Sequence, residues 1–263
     1  MSTDQEFKTV LPARNDAIRI VPLHGQGEIQ APIHGAPVAV PPKLTYRNGP
    51  LLKAVEVFTI FWGASWQTSP QSDLAKNLNQ FFDFVLTSSL MDQLAEFGVP
   101  GQPIGHGKNI GTITITTPRL SRIVSDNAIQ HMLQQEISTG AIPSPNPNTL
   151  YFIYLPPGVA VSQGGSRSCQ AFCGYHNNIQ NQIFYAVMPF AGCQGCTGGI
   201  SVIDALTSTS SHELCEAVTD PIPGSGWYDD NNGEIGDICA WQTKKVGSFT
   251  VQLEWSNKKN ACI

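Results

Sequence analysis

The densest chemistry in this sequence lies between residues 212 and 239. His212-Glu213-Leu214-Cys215-Glu216 sets a histidine and a glutamate four residues apart within a stretch of helical spacing. On a helix such a pair leaves the same face, with Cβ atoms about 5–6 Å apart. Both side chains then reach one ion, and Glu213 projects to one side, where its carboxylate can take a proton from water. The pattern is that of H-E-x-x-H metallopeptidases with the second histidine replaced by glutamate. Zinc tolerates the replacement, because carboxylate oxygens bind it at about 2.0–2.2 Å. A third protein ligand is required, and residues 227–239 concentrate oxygen donors. Asp237 is the first candidate and Glu234 the alternative, since Ile235 and Ile238 beside them mark a partly buried segment. Asp229, Asn231 and Gly233 alternate in the manner of a calcium loop, so an additional Ca²⁺ site is a further reading. Gly233 stands in the fifth place, however, where an EF-hand needs its glycine in the sixth, and a solvated turn accounts for Asp229 and Asp230 most simply.

The elements that must hold these residues follow from periodicity. Apolar residues at 203, 206, 214 and 218 predict a helix with one buried face, stopped at Thr219-Asp220-Pro221 because proline disfavours helical geometry in the residue before it. A β-branched and aromatic run over 54–62 predicts a strand. Capping chemistry at 69–73 and apolar spacing from Leu74 to Leu86 predict a helix reaching about Ser88. A short helix over 91–97, a strand over 111–116 and one or two helices over 120–137 come next. Strands are expected over 150–155, 159–161, 171–176 and 183–188, and a last one over 249–255. This order predicts an α/β fold with a mixed sheet, antiparallel in part between 150 and 190.

Composition narrows the function classes. The chain has 263 residues and a net charge of −5. A nucleic-acid backbone binder needs a basic face, so that class is set aside. No apolar run approaches the roughly 20 residues of a membrane span. Charged residues make up only 13% of the chain, about half the usual ~25%, which with seven cysteines reads as extracellular. Residues 1–15 lack the apolar core of a classical signal peptide. Residues 1–50 hold seven prolines and read as an N-terminal arm or pro-segment, with the α/β domain spanning 51–263. All seven cysteines fall after residue 168, at 169, 173, 193, 196, 215, 239 and 262. Structural disulfides are expected there, in the pairing Cys169–Cys173, Cys193–Cys196 and Cys239–Cys262, with Cys215 left on the buried face of the 203–218 helix. The five tryptophans read as core or rim packing rather than a sugar platform.

The run SHELCEAVTDPIPGSGWYDDNNGEIGDICAW, with CGYHN at 173–177 and the late strand around Val251-Gln252-Leu253-Glu254-Trp255-Ser256, resembles the exordium / phosphate-induced protein family, which is known from plant cell walls and has microbial relatives. The likeness spans about residues 50 to 262 and is specific in the C-terminal third. It implies a secreted protein, while the helix motif makes zincin-type peptidase chemistry the natural inference. The order of elements is also similar to the zincin catalytic subdomain, a likeness of fold. In that reading Zn²⁺ is held by His212, Glu216 and Asp237 or Glu234, and Glu213 is the general base for attack on a peptide or protein substrate. His176 follows a strand that runs along the cleft in zincins, where it stabilises the oxyanion or binds metal. The alternative is a non-catalytic secreted binding or signalling protein with a structural metal site. Carbohydrate binding at a cell wall is a third reading.

Overall fold

The computed structural model describes residues 20–24 and 41–263. Its strands are β1 (Ile20–Pro22), β2 (Thr45–Tyr46), β3 (Glu56–Trp62), β4 (Lys108–Ile115), β5 (Ile123–Ser125), β6 (Thr149–Tyr154), β7 (Ala160–Gln163), β8 (Ser166–Arg167), β9 (Phe172–Ile179), β10 (Ile183–Met188), β11 (Trp227–Tyr228), β12 (Thr243–Val246), β13 (Phe249–Gln252), β14 (Trp255–Ser256) and β15 (Ala261–Cys262). The helices are α1 (Gln71–Val85), α2 (Ser89–Leu94), α3 (Asp126–Ser138), α4 (Gln194–Thr197) and α5 (Val202–Thr219).

The central sheet has the order β1-β9-β10-β6-β3-β4. β10, β6, β3 and β4 run parallel, β9 is antiparallel to β10, and β1 is antiparallel to β9. The mixed α/β sheet expected from the sequence is therefore present, and the antiparallel part lies where close strand spacing placed it. Strands covered on both faces read as continuous apolar runs. In β6, Leu150, Phe152 and Tyr154 join the core beneath α1 and α5, whereas Tyr151 and Ile153 join the core against α3. α1 contributes Leu78, Phe81, Phe82 and Val85 to the first core, and α3 contributes Ile129, Met132 and Leu133 to the second.

Several boundaries differ from expectation, each for a local reason. α1 stops at Val85 because Ser88 is used to start α2, its hydroxyl accepting from the Leu90 amide at 3.3 Å. The first part of the expected 120–137 helix is β5, and Ser125 opens α3 by accepting from the Ala128 amide at 3.2 Å. The expected last strand breaks after Gln252, and Trp255–Ser256 pairs with β15 instead. Within the proline-rich N-terminal stretch, Ile20–Pro22 is an edge strand of the main sheet and Thr45–Tyr46 pairs with β11. The remainder of the expected arm, 1–19 and 25–40, lies outside the described residues.

Two of the three expected disulfides are corrected. The bonds are Cys169–Cys193, Cys173–Cys196 and Cys239–Cys262, and Cys215 is free and buried. Cys169 and Cys173 flank the turn into β9, while Cys193 and Cys196 sit on the first turn of α4. Each cysteine faces the other element rather than its sequence neighbour, so both bonds tie α4 to β9. No described helix is long and apolar enough to cross a membrane.

Candidate metal centre

α5 begins where the Ser201 hydroxyl accepts from the Asp204 amide at 3.2 Å, and every residue from Ala205 to Thr219 is buried. The helix lies directly on β9 because Gly174 has no side chain: a Cβ there would stand 2.7 Å from Thr209 Cγ2. That contact brings His176, two residues further along β9, under Glu213. On the opposite side, the 3₁₀ turn Asp237–Cys239 and the preceding loop close over α5. Gln252 fixes this loop by donating to the Gly236 carbonyl at 2.8 Å, and its own amide donates to Ser211 Oγ at 2.9 Å. The Trp255 backbone amide donates a hydrogen bond to the Ile235 carbonyl at 3.2 Å.

The predicted residues converge. His212 Nε2 lies 2.9 Å from Glu216 Oε1 and 4.0 Å from Asp237 Oδ1, so these three form one donor set. Glu234 does not compete with Asp237 for that place. It belongs to a second set with His176 and Glu216, with its Oε1 3.6 Å from His176 Nε2. Within each set the donor atoms lie within 4.8 Å of one another. Glu213 Oε2 lies 3.1 Å from His176 Nδ1. His176 Nε2 faces the Asp220 carbonyl at 3.2 Å. Both ring nitrogens are thus engaged, and in this arrangement His176 orients Glu213 rather than presenting a free donor to an oxyanion.

The donor set fits a divalent ion. His212, Glu213, Glu216 and Glu234 are all fully buried. Yet His212 Nδ1, Glu213 Oε1, Glu216 Oε2 and both oxygens of Glu234 have no well-formed hydrogen bond, and His212 Nε2 has only the close Glu216 Oε1. Buried polar groups are nearly always paired, and an uncompensated buried carboxylate costs several kcal/mol. A cation among these atoms answers both deficits at once, and imidazole with carboxylate oxygens suits zinc. The two-carboxylate set leaves such an ion less positive than three histidines would.

In the protein alone, protons take up the same role. Burial opposes charge on His176, but the Glu213 and Glu216 carboxylates outweigh it and raise its pKa to about 10. His212 is likewise held well above its usual range against burial, chiefly by Glu216. Burial would raise Glu216, yet His212 and His176 pull it down to about 2. Glu234 and Asp237 are pushed well up by burial and by the Glu216 charge, and Glu213 rises through burial.

Two glycines shape the loop. Gly233 has a φ of 87°, in the left-handed region that favours glycine, and a Cβ there would run into the Asp237 carboxylate. Gly236 has ordinary backbone angles but packs on the His212 ring, where a Cβ would lie 2.7 Å from Nδ1. Gly236→Ala is therefore expected to lower stability by about 1–3 kcal/mol through overpacking and to reduce metal retention by tilting the ring. Thermal unfolding with elemental analysis checks both, and unchanged metal content would remove the second expectation.

Three neighbours escaped the sequence reading. Asp220 accepts from the amides of Gly224, Ser225 and Gly226 at 2.6–3.0 Å and so folds the loop after α5. Gln252 is described above. The Glu254 carboxyl is fully buried with the Cys215 thiol beside it and neither oxygen in a well-formed hydrogen bond, and burial holds its pKa well up. The available signal for Glu254 was a carboxylate between Leu253 and Trp255. Asp229 accepts from the Lys43, Asn231 and Asn232 amides at 2.6–2.9 Å, which is how a turn is braced, and among the described residues no donor set gathers around it. Trp62, Trp66 and Trp255 are buried and Trp227 and Trp241 partly so, which fits core and rim packing.

Comparison with known proteins adds little. No family model matches the chain, and no curated protein matches it. A solved structure described as a chaperone–substrate complex is similar at 14% identity and a TM-score of 0.29, over 65% of this chain. The match spans only 27% of that structure's chain.

Proposed function

We propose that this chain is a secreted, zinc-dependent metallopeptidase-like protein of the exordium type, hydrolysing peptide bonds at the α5 centre. The observation that carries the reading is the convergence of His212, Glu216 and Asp237 with Glu213 alongside, its Oε1 free of hydrogen bonds. A bound zinc supplies polarisation of the scissile carbonyl and a more acidic attacking water. His212, Glu216 and Asp237 would hold it. Glu213 Oε1 would accept a proton from the attacking water, with Oε2 kept in place by His176. Three disulfides fit an oxidising compartment.

The edge of β9 supplies a place for an extended peptide, since adding a strand to a sheet edge is a recurrent mode of peptide recognition. β1 already lies there, with Val21 opposite Gly174, and a Cβ on Gly174 would be 3.3 Å from Glu213 Oε1. In this reading a substrate takes the place of β1, antiparallel to β9.

One observation favours a second reading. The donors of the centre are buried almost completely, as in a structural metal site, and the protein would then be a non-catalytic extracellular binding or signalling protein. Elemental analysis and cleavage of a mixed peptide library separate the two. The peptidase reading expects bound zinc, cleavage abolished by a chelator, and faster cleavage in Val21→Asp, where a buried charge loosens β1. Bound zinc without cleavage in either chain would leave the structural site. No metal after dialysis against zinc would sink both.

A further inference from the structure

Glu216 faces two ways. Its Oε1 lies 2.9 Å from His212 Nε2, and its Oε2 lies 3.5 Å from His176 Nδ1. We propose that the centre holds two divalent ions that share Glu216 as a bridging carboxylate, one at His212, Glu216 and Asp237 and the other at His176, Glu216 and Glu234. This deepens the peptidase reading of the first position and rests on it.

The second set has independent marks of a ligand site. Both oxygens of Glu234 and Oε2 of Glu216 are wholly buried and lack a well-formed hydrogen bond, with only the Asp220 carboxyl beside Glu234 and the His176 ring beside Glu216. His176 is flanked by acceptors on both sides: Glu213 Oε2 and Glu216 Oε2 face Nδ1 at 3.1 and 3.5 Å, and the Asp220 carbonyl and Glu234 Oε1 face Nε2 at 3.2 and 3.6 Å. Without an ion His176 meets these acceptors as an imidazolium, donating from both nitrogens. As a neutral imidazole it donates from one nitrogen only, and Nδ1–H to Glu213 then leaves the Nε2 lone pair for a cation beside Glu234. A carboxylate on the other nitrogen, here Glu213, is the usual partner of a metal-ligating histidine.

Charge points the same way. Glu213, Glu216, Glu234 and Asp237 place four carboxylates around two imidazoles. With Asp220 beside Glu234 and Glu254 beside His212 and Glu216, the buried carboxylates outnumber what one divalent ion can offset, and a second ion offsets two further charges. The loop builds for both positions together, because the Glu234 amide donates to Asp237 Oδ2 at 3.0 Å, tying the carboxylate of one set to the backbone of the other. Paired metals about 3.5–4 Å apart are a known device for clamping the attacking and leaving oxygens of a displacement. A donor set of imidazole and carboxylate suits zinc, iron or manganese.

Manganese loading tests this without any need for activity. The full-length chain is dialysed against saturating Mn²⁺, its metal measured, and its electron paramagnetic resonance spectrum recorded. About two ions per chain and a spin-coupled signal are expected. Glu234→Gln keeps the side-chain shape and should fall to about one ion with an uncoupled signal. His176→Gln should do the same, and it decides the matter if thermal unfolding shows that Glu234→Gln fails to fold. One ion per chain in the wild type with an uncoupled signal, unchanged in Glu234→Gln, overturns the pair and leaves the single site standing. No bound ion at all removes both.

Discussion

Glu213→Ala is expected to lower kcat and kcat/KM for peptide hydrolysis by about 10²–10⁴-fold, the usual contribution of a positioned acid or base, while the ion at His212, Glu216 and Asp237 stays bound. Glu213 belongs to neither donor set, and its Oε1 lies beside the first set without a hydrogen bond of its own. KM should stay near its original value, because the lost interaction is with the reacting water rather than with the substrate chain. Glu213→Gln separates chemistry from packing: it keeps the volume and a contact to His176 but cannot accept the proton. The Ala and Gln variants should therefore be equally inactive although they differ in thermal stability. If cleavage persists in the Gln variant, another base is at work. If there is no cleavage in the wild type and no change in either variant, Glu213 is a structural carboxylate.

How much of this centre was legible depended on how local each feature is. His212, Glu213 and Glu216 are placed by the helix alone, and the apolar residues at 206, 214 and 218 were enough to say which face is buried. What spacing could not show is that nearly all of α5 is buried, Ser208 to Ser211 included. That follows from β13 and the 229–239 loop packing on the side that periodicity left polar. Asp237 and Glu234 were seen as rivals because sequence distance does not say on which side of Glu216 each will fall. Their separation comes from the 3₁₀ turn, which carries Asp237 to His212 and leaves Glu234 facing His176. His176 was legible as part of the CGYHN likeness and as an oxyanion or metal candidate, but its pairing with Glu213 depends on the close approach of α5 at Gly174, which sequence does not show. The same limit produced the wrong cysteine pairs. Short spacings such as Cys193 to Cys196 invite local bonds, whereas the bonds formed depend on α4 docking beside β9. Likewise β1 was hidden in a proline-rich stretch, because an edge strand of three residues has too few positions to show alternation.

The second large effect is an opposite pH dependence of the metal-free and metal-loaded forms. In the metal-free protein His176 has a pKa raised from 6.5 to about 10. Its contribution to stability is fully present below about pH 6.5 and is lost as pH climbs through about 10. Glu213, Glu234 and Asp237 are raised too, so folding holds protons on carboxylates that the unfolded chain has already released. The native state then binds more protons than the unfolded state, and stability falls with rising pH. Glu216 acts in the other direction, but with a folded pKa of about 2 its contribution is complete above about pH 4.5 and flat from there upward. Metal-free protein should therefore lose thermal stability steadily from about pH 5.5 to pH 9. Ligands must shed these same protons to bind an ion, so the stabilisation conferred by zinc should grow over that range. At a zinc concentration about 1,000 times Kd it amounts to about 4 kcal/mol, or about 8–16 °C in Tm for a chain of this size. Thermal unfolding at pH 5.5, 7 and 9, with chelator and with zinc, reads both slopes in one series. Parallel curves would mean that the buried carboxylates and imidazoles compensate one another without an ion, and the metal centre would lose its physical basis.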